Sequence, residues 1–265
     1  MELESSQAII DVFNSLDPFT PGVLRKTVYP RVFLPSSING DNDLYTPVTG
    51  RKALVRDYIV TNNTGGGITH FPKIKIGGTY WQIGQSVTEG AAGLGHNYGL
   101  NAIHNAQPIL LNAGETFAVN TSALGLTIWL NVVEFADSVP FFRADKHGGW
   151  INGANTLFTV PANKTLCIGQ FTTLAVANNP QIGICGINYM NGTGGSVNLS
   201  TINIVPFGGS PGASNQFAGP GSILTGQGFS KFFHGNIGEG DFISLTVDST
   251  NAQQFAHFNY VLAGE

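Results

Sequence analysis

Two stretches decide the fold. The first is Leu44-Tyr45-Thr46-Pro47-Val48-Thr49-Gly50-Arg51-Lys52-Ala53-Leu54-Val55. The second is Leu157-Phe158-Thr159-Val160-Pro161-Ala162-Asn163-Lys164-Thr165-Leu166-Cys167. Each reads Leu-aromatic-Thr, then a Pro-bearing turn that ends in Lys, then an apolar alternating run. Setting Lys52 against Lys164 gives a repeat of 112 residues, about one small domain length. A second pair follows in the same order. Leu111-Asn112-Ala113-Gly114-Glu115-Thr116-Phe117-Ala118-Val119 returns as Ile237-Gly238-Glu239-Gly240-Asp241-Phe242-Ile243-Ser244-Leu245, with Gly114 and Gly240 126 residues apart. Two matched anchors in one order predict a duplicated β-domain whose second copy has the longer middle.

Reading outward from these anchors gives the first unit, residues 41–136. Strands are expected over Val55–Thr61, Thr69–Ile76, Tyr80–Ile83, Pro108–Leu111, Thr116–Asn120 and Leu126–Phe135. Asn62 to Gly67 and Gly77-Gly78 supply turns, because Asn and Gly tolerate positive φ. Pro72 marks its strand as an edge. Leu126 to Val133 is long and β-branched, which suits a central strand. Residues 84–105 read as irregular. The second unit, residues 152–265, has strands over Thr165–Val176, Ile182–Tyr189, Val197–Val205, Phe229–His234, Phe242–Val247 and Phe255–Leu262. Pro206 to Gly228 reads as an insertion. Residues 137–151 read as a linker whose Phe141, Phe142 and Trp150 pack against something. Many short strands with frequent turn signals predict an all-β chain of two tandem β-sandwich or jelly-roll-like domains.

Residues 1–40 read differently, as a short helix and an extended arm. Ile9, Val12, Phe13 and Leu16 recur at helical spacing, and Asp17-Pro18 ends the pattern. That face packs either on the chain's own β-domains or on a neighbour. Beyond it, Pro21, Pro30 and Pro35 oppose regular structure.

The chain has 265 residues, and only 11% are charged, against roughly 25% in an ordinary soluble domain. Net charge is −4. With no Lys/Arg block, nucleic acid is not an expected partner. No run approaches the roughly 18 apolar residues of a membrane-spanning helix, and Met1-Glu2-Leu3-Glu4 lacks a signal peptide's basic-then-apolar order. So poor a charge content suggests a surface largely covered by partners. Cys167 and Cys185 read as buried thiols that could face each other on adjacent strands.

The repeat pair resembles a small β-domain of virion structural proteins of tailed bacteriophages, patterned Leu-Tyr-Thr-Val-Pro-Ala-Gly-Lys and then Leu-Asn-Ala-Gly-Asp-x-Phe. The likeness covers about two thirds of the chain, as two copies. Pro47-Val48 reverses the family's Val-Pro, and the second copy carries Gly238-Glu239-Gly240-Asp241, so the register of the turns stays open. The resemblance implies a capsid decoration or cement protein stabilising the head. Neck, collar and tail positions, or a carbohydrate-binding adhesion module of the tail, are the alternatives. Expected partners are copies of the chain, as a trimer, and the major capsid protein or another virion protein. The candidate interface residues are Ile9, Val12, Phe13, Leu16, Phe19, Phe141, Phe142, Trp150, Phe207 and Phe217.

Catalytic and cofactor signals are weak, and no enzymatic activity, cofactor or metal is expected. Gly90-Ala91-Ala92-Gly93-Leu94-Gly95 has no βαβ unit around it. His96 and His104 lack a third ligand at usable spacing. Gly-x-Ser-x-Gly is absent. Asp41-Asn42-Asp43 lacks the rest of a calcium loop, and Glu115 and Asp241 read as turn residues that bond their own backbone. Tyr80, Trp81, Tyr98 and Trp150 are the aromatic residues a sugar would stack on.

Overall fold

The computed structural model describes residues 31–34, 36–84, 86–90, 95–99, 109–139, 141–149, 151, 153–177, 183–190, 196–204, 214–218, 242–247 and 252–263. Among them every regular element is a strand. The fold is all-β, as the turn-punctuated pattern predicts. The expected N-terminal helix, with Ile9, Val12, Phe13, Leu16 and Phe19, lies outside the described residues.

One compact unit is Leu24–Val139 and the other is built on Pro140–Glu265. The first contains β1 (Arg31–Leu34), β2 (Gly40–Tyr45), β3 (Arg51–Asn62), β4 (Ile68–Ile76), β5 (Thr79–Gln82), β6 (Val87–Glu89), β7 (Gly95–Gly99), β8 (Ile109–Leu111), β9 (Thr116–Thr121) and β10 (Leu126–Ala136). One sheet runs β1-β10-β3, with β7 and β8 both on the far side of β3. The other runs β2-β9-β4, with β5 and β6 both on the far side of β4. The second unit contains β11 (Phe141–His147), β12 (Gly153–Thr159), β13 (Thr165–Ala177), β14 (Gly183–Met190), β15 (Ser196–Ile204), β16 (Ser214–Ala218), β17 (Phe242–Val247) and β18 (Ala252–Ala263). Its sheets run β11-β18-β13-β16 and β12-β17-β14-β15. Within that unit the order is first-eighth-third-sixth over second-seventh-fourth-fifth, the connectivity of a jelly roll. The first unit has the same order once its two split edge strands are each counted as one.

The two quoted stretches occupy the same corner of each unit, the crossing from β2 to β3 and from β12 to β13. Their register is ungapped. The Arg51 N–H donates to the Val48 carbonyl at 3.0 Å, and the Lys164 N–H donates to the Pro161 carbonyl at 3.3 Å. Gly50 (φ 79°) and Asn163 (φ 58°) take the positive-φ position of that turn. Lys164 therefore matches Arg51, not Lys52, and the offset is 113 positions. Pro47-Val48 and Val160-Pro161 share two backbone positions, and the inner residue of each pair, Pro47 or Val160, is buried.

Strand β4 shows how sequence becomes core. Ile68, His70, Pro72 and Ile74 are buried, while Thr69, Phe71, Lys73 and Lys75 face outward, half-buried. Period-2 alternation puts the first set between the sheets, with Leu54, Phe117 and Ile128. Pro72 does not mark an edge, because β4 has partners on both sides. Its carbonyl accepts from the Ile83 N–H at 3.0 Å, beyond the end of β5. The missing Pro72 N–H points the same way, into the break between β5 and β6, so no ladder bond is lost. Gly77 (φ 57°) and Gly78 (φ 86°) make the two-residue hairpin turn that requires two positive φ values.

Four stretches differ from expectation. The segment 84–105, read as irregular, holds β6 and β7, which pair with β4 and β3. The first unit starts earlier than Asp41, because Arg31–Leu34 pairs with β10 at the sheet edge. Pro30 and Pro35 bracket this short strand rather than abolish it. The stretch read as a linker holds β11, paired with β18 along its whole length. Phe141 and Ala144, on opposite faces, are both buried, so β11 lacks the alternation of a half-buried strand. Within the Pro206–Gly228 insertion, Ser214–Ala218 is the edge strand β16. Cys167 in β13 and Cys185 in β14 belong to different sheets, so they are not on adjacent strands.

Candidate functional site

The loops entering β2 and β12 are built alike. Ile38-Asn39-Gly40-Asp41-Asn42-Asp43-Leu44-Tyr45-Thr46 matches Ile151-Asn152-Gly153-Ala154-Asn155-Thr156-Leu157-Phe158-Thr159. The Asn42 Oδ1 accepts the Ile38 N–H at 2.7 Å, and its Nδ2 donates to the Ile38 and Gly40 carbonyls at 3.1 and 3.0 Å. The Asn155 Oδ1 accepts the Ile151 N–H at 3.0 Å, and its Nδ2 donates to the Ile151 and Gly153 carbonyls at 2.9 and 3.0 Å. Only a primary amide offers an acceptor and two donors on so short an arm. Gly40 (φ 107°) and Gly153 (φ 105°) make the bend, in a region closed to L side chains. Both asparagines are buried, yet Ile38 is 58% and Ile151 59% exposed.

In the first unit the loop is tied to its neighbour before β10. The Ser37 N–H donates to the Leu126 carbonyl at 2.8 Å, the Leu126 N–H returns to the Ser37 Oγ at 3.0 Å, and the Thr121 Oγ1 donates to the Ile38 carbonyl at 2.5 Å. That neighbouring loop carries Leu124, itself 62% exposed. Two aliphatic side chains thus stand outward on adjoining, internally hydrogen-bonded loops. The sequence reading missed this site because it began each repeat at Leu44 and Leu157. The signal stood six residues upstream, as Ile-Asn-Gly-x-Asn-x-Leu in both copies.

The Asp41-Asn42-Asp43 triplet is split by the pleat of β2. Asn42 faces inward as the clamp, while Asp41 and Asp43 face outward to Lys73 and Lys75, each pair at 2.8 Å. The Tyr80 hydroxyl donates to Asp43 at 2.7 Å. Burial raises the Asp43 pKa, but the Lys75 and Tyr80 hydrogen bonds outweigh it and leave the carboxyl below its ordinary value. Lys75 Nζ lies 4.8 Å from the Tyr80 ring centroid. Trp81, opposite Ile74 in register, is on the other face of the sheet. Tyr80 and Trp81 therefore form no common stacking surface. The Tyr98 side chain and Trp150 are not among the described groups.

Three further polar clusters are buried in whole or in part. The Tyr45 hydroxyl donates to Glu134, which also meets the Arg51 Nε at 3.4 Å. Burial first, and then the Glu134 hydrogen bond, drives the Tyr45 pKa well above the ordinary phenol value. His70 Nε2 and Glu89 Oε1 are 3.4 Å apart in the interior of the first unit, and burial holds the His70 pKa down to about 4. In the second unit Asp145 lies 3.3 Å from Arg143 and 2.7 Å from the His147 Nδ1. His257 pairs with Asp145 in register and is fully buried, its two ring nitrogens without a hydrogen-bond partner among the described residues. Among the described residues no group of three or more His, Cys, Asp or Glu side chains is placed to hold a metal. Glu115 bonds its own turn, accepting from the Asn112 N–H at 2.8 Å.

The structure gathers few of the interface residues expected from sequence. Phe141 is fully buried in β11 and has no surface to present. Phe142 points to the opposite face, its ring 5.5 Å from that of Tyr260. Phe217 lies in the edge strand β16. Trp150 and Phe207, like the five N-terminal residues, lie outside the described residues.

No family model and no curated protein sequence matches the chain. Among solved structures it is similar to PNGase F, a glycosylasparaginase from Flavobacterium meningosepticum, with 10% identity over 90% of this chain and 96% of that one, at a TM-score of 0.34. It is similar to the STIV MCP, STIV being Sulfolobus turreted icosahedral virus, with 8% identity over 90% and 97%, at 0.32. It is also similar to the major capsid protein P2 of bacteriophage PM2, with 11% identity over 90% and 98%, at 0.31. At such scores the likeness carries no argument about function.

Proposed function

We propose that this chain is a virion structural protein of a tailed bacteriophage, a decoration or cement subunit on the head, that catalyses no reaction and needs no cofactor. The observation that supports this reading is the duplicated clamp. Two jelly rolls of one chain each hold an isoleucine outward on the same hydrogen-bonded loop, and in the first unit Leu124 stands exposed on the adjoining loop, an apolar pairing that suits a contact surface. The low charge content agrees, since a free surface is ordinarily rich in charge. The partners in this reading are other copies of the chain and the major capsid protein. Fold alone does not supply function, so the test is made on particles. Gold-labelled antibody against the chain is expected on the head surface of purified virions. Label on the neck or tail would move the subunit there. Absence of the chain from purified particles would overturn the reading.

A further inference from the structure

We infer that the outer face of the first unit's β1-β10-β3 sheet binds a neutral saccharide chain of equatorially substituted pyranoses, with Trp129 as its stacking platform. The inference goes beyond the proposed function and does not rest on it. Among the described residues six large apolar side chains are exposed, and only Trp129 and Ile59 of these stand in strands. They are register partners, Trp129 on β10 and Ile59 on β3. Strand alternation turns them outward together. Leu126, Ile128 and Leu130 of β10 and Val60 of β3 fill the core, so Thr127, Trp129 and Asn131 share the opposite face with Ile59 and Thr61. Trp129 is 45% and Ile59 37% exposed.

The fold does not require an indole at this point. The register of β18 against β13 repeats that of β10 against β3, bulge included. His257 therefore takes the position of Trp129, and Asn259 that of Asn131. Both are buried in the second unit. The same jelly roll thus accepts a smaller ring there, while the first unit holds a large one in water.

The groups around the indole select the occupant. A pyranose with equatorial hydroxyls offers an apolar face of C–H bonds and a polar rim, which suits an aromatic ring set among hydrogen-bonding groups. Alternate residues of a strand are about 7 Å apart. A sugar ring over Trp129 therefore brings its rim within reach of Thr127 on one side and the exposed Asn131 amide on the other. The Thr127 hydroxyl is already held, its Oγ1 accepting from the Asn63 Nδ2 at 2.7 Å. On the adjoining strand, β7 brings Asn97 beside Ile59 and glycines, Gly95 and Gly99, to the positions before and after it.

Other occupants fit less well. Single-stranded nucleic acid also stacks on aromatic rings, but it needs cations along its phosphates. Thr61, Ile59, Thr127, Trp129 and Asn131 carry no charge, and Arg31 and Asp57, both in register with Asn131, offset each other. A protein partner needs about 800 Å² a side around a packed apolar centre, and two exposed apolar side chains do not supply one.

The test titrates the full chain with cellohexaose and with the hexamer of N-acetylglucosamine by calorimetry, and with a short oligothymidylate as the charged control. We expect at least one hexasaccharide to bind with a Kd of about 1 mM or tighter. Trp129→Ala should weaken that binding by about tenfold or more, and Asn131→Ala by about fivefold. Trp129→Phe should keep most of it. Trp129→Leu, which leaves the site apolar but removes the ring, should fail as Trp129→Ala does. Thermal melting of each variant close to wild type shows that the sheet is intact. No binding of either hexasaccharide at about 10 mM, binding that Trp129→Ala leaves unchanged, or tighter binding of the oligothymidylate would overturn the inference. Self-association that Trp129→Ala abolishes, without saccharide binding, would give the face to a second copy and overturn it as well. All of these outcomes leave the proposed function standing, since that is tested by where the chain lies on virions.

Discussion

Asn42 and Asn155 stand 113 positions apart and make the same three hydrogen bonds, each to the backbone of the residue four positions before it and the glycine two before it. The jelly-roll duplication is thus written at the level of single amide groups. Asn42→Ala and Asn155→Ala should each destabilise their own unit by about 1–3 kcal/mol, the cost of a lost buried hydrogen-bonding group. Urea unfolding with a probe in each unit checks this. Equal midpoints for variant and wild type would mean that the clamp contributes nothing.

Glycines separate backbone strain from crowding. A Cβ at Gly40 or Gly153 meets nothing within 4 Å, whereas one at Gly125 (φ 106°) would lie 2.3 Å from the Thr64 Cγ2. Gly40→Ala should cost about 1–2 kcal/mol from φ alone. Gly125→Ala should cost more, because Thr64 must also move. Denaturation midpoints rank the two, and the reverse order would count against this account.

Much of the fold was legible in the sequence, and the losses have physical causes. Leu44 to Val55 and Leu157 to Cys167 mark the corner between the sheets because turn chemistry is local and the strands beyond it alternate. Phe141 to His147 was hidden because that strand buries Phe141 on one face and Ala144 on the other, so its pattern resembles no half-buried strand. The clamp was hidden for another reason. Asn42 reads as one member of an acidic triplet until the pleat separates it from Asp41 and Asp43. Its pairing with Ile38 depends on Gly40, whose positive φ no hydropathy pattern reports.

The Tyr45, Glu134 and Arg51 triad, in which only Glu134 is buried, is not repeated residue for residue in the second copy, where Phe158 replaces Tyr45 and Lys164 replaces Arg51. Removing one member should hurt more than removing all. Glu134→Ala should cost about 1–2 kcal/mol, because it strands a half-buried phenol and a guanidinium that water still partly reaches. Adding Tyr45→Phe and Arg51→Lys should recover part of that loss. A triple variant no more stable than the single would show that the three groups do not act as a network.

Acid should loosen both units through one buried imidazole in each. Burial depresses His70 to about 4 and His257 to about 3, with Arg143 adding to the second, against an ordinary value of 6.5. Both imidazoles are therefore neutral in the folded chain at pH 6, while in the unfolded chain they begin to protonate below 6.5. The unfolded state then binds more protons, so stability falls as pH falls. The contribution is complete above about pH 7 and declines by up to about 1.4 kcal/mol per pH unit for each histidine. By pH 5 each unit should have lost about 2 kcal/mol. Asp43, whose pKa lies below its ordinary value of 3.8, loses its contribution only at lower pH. Urea midpoints measured at pH 7.5, 6 and 5 should fall for both units. His70→Gln should flatten the profile of the first unit only, and His257→Leu that of the second only. A midpoint that rises or holds steady between pH 7.5 and 5 would show that these imidazoles are not held neutral by burial.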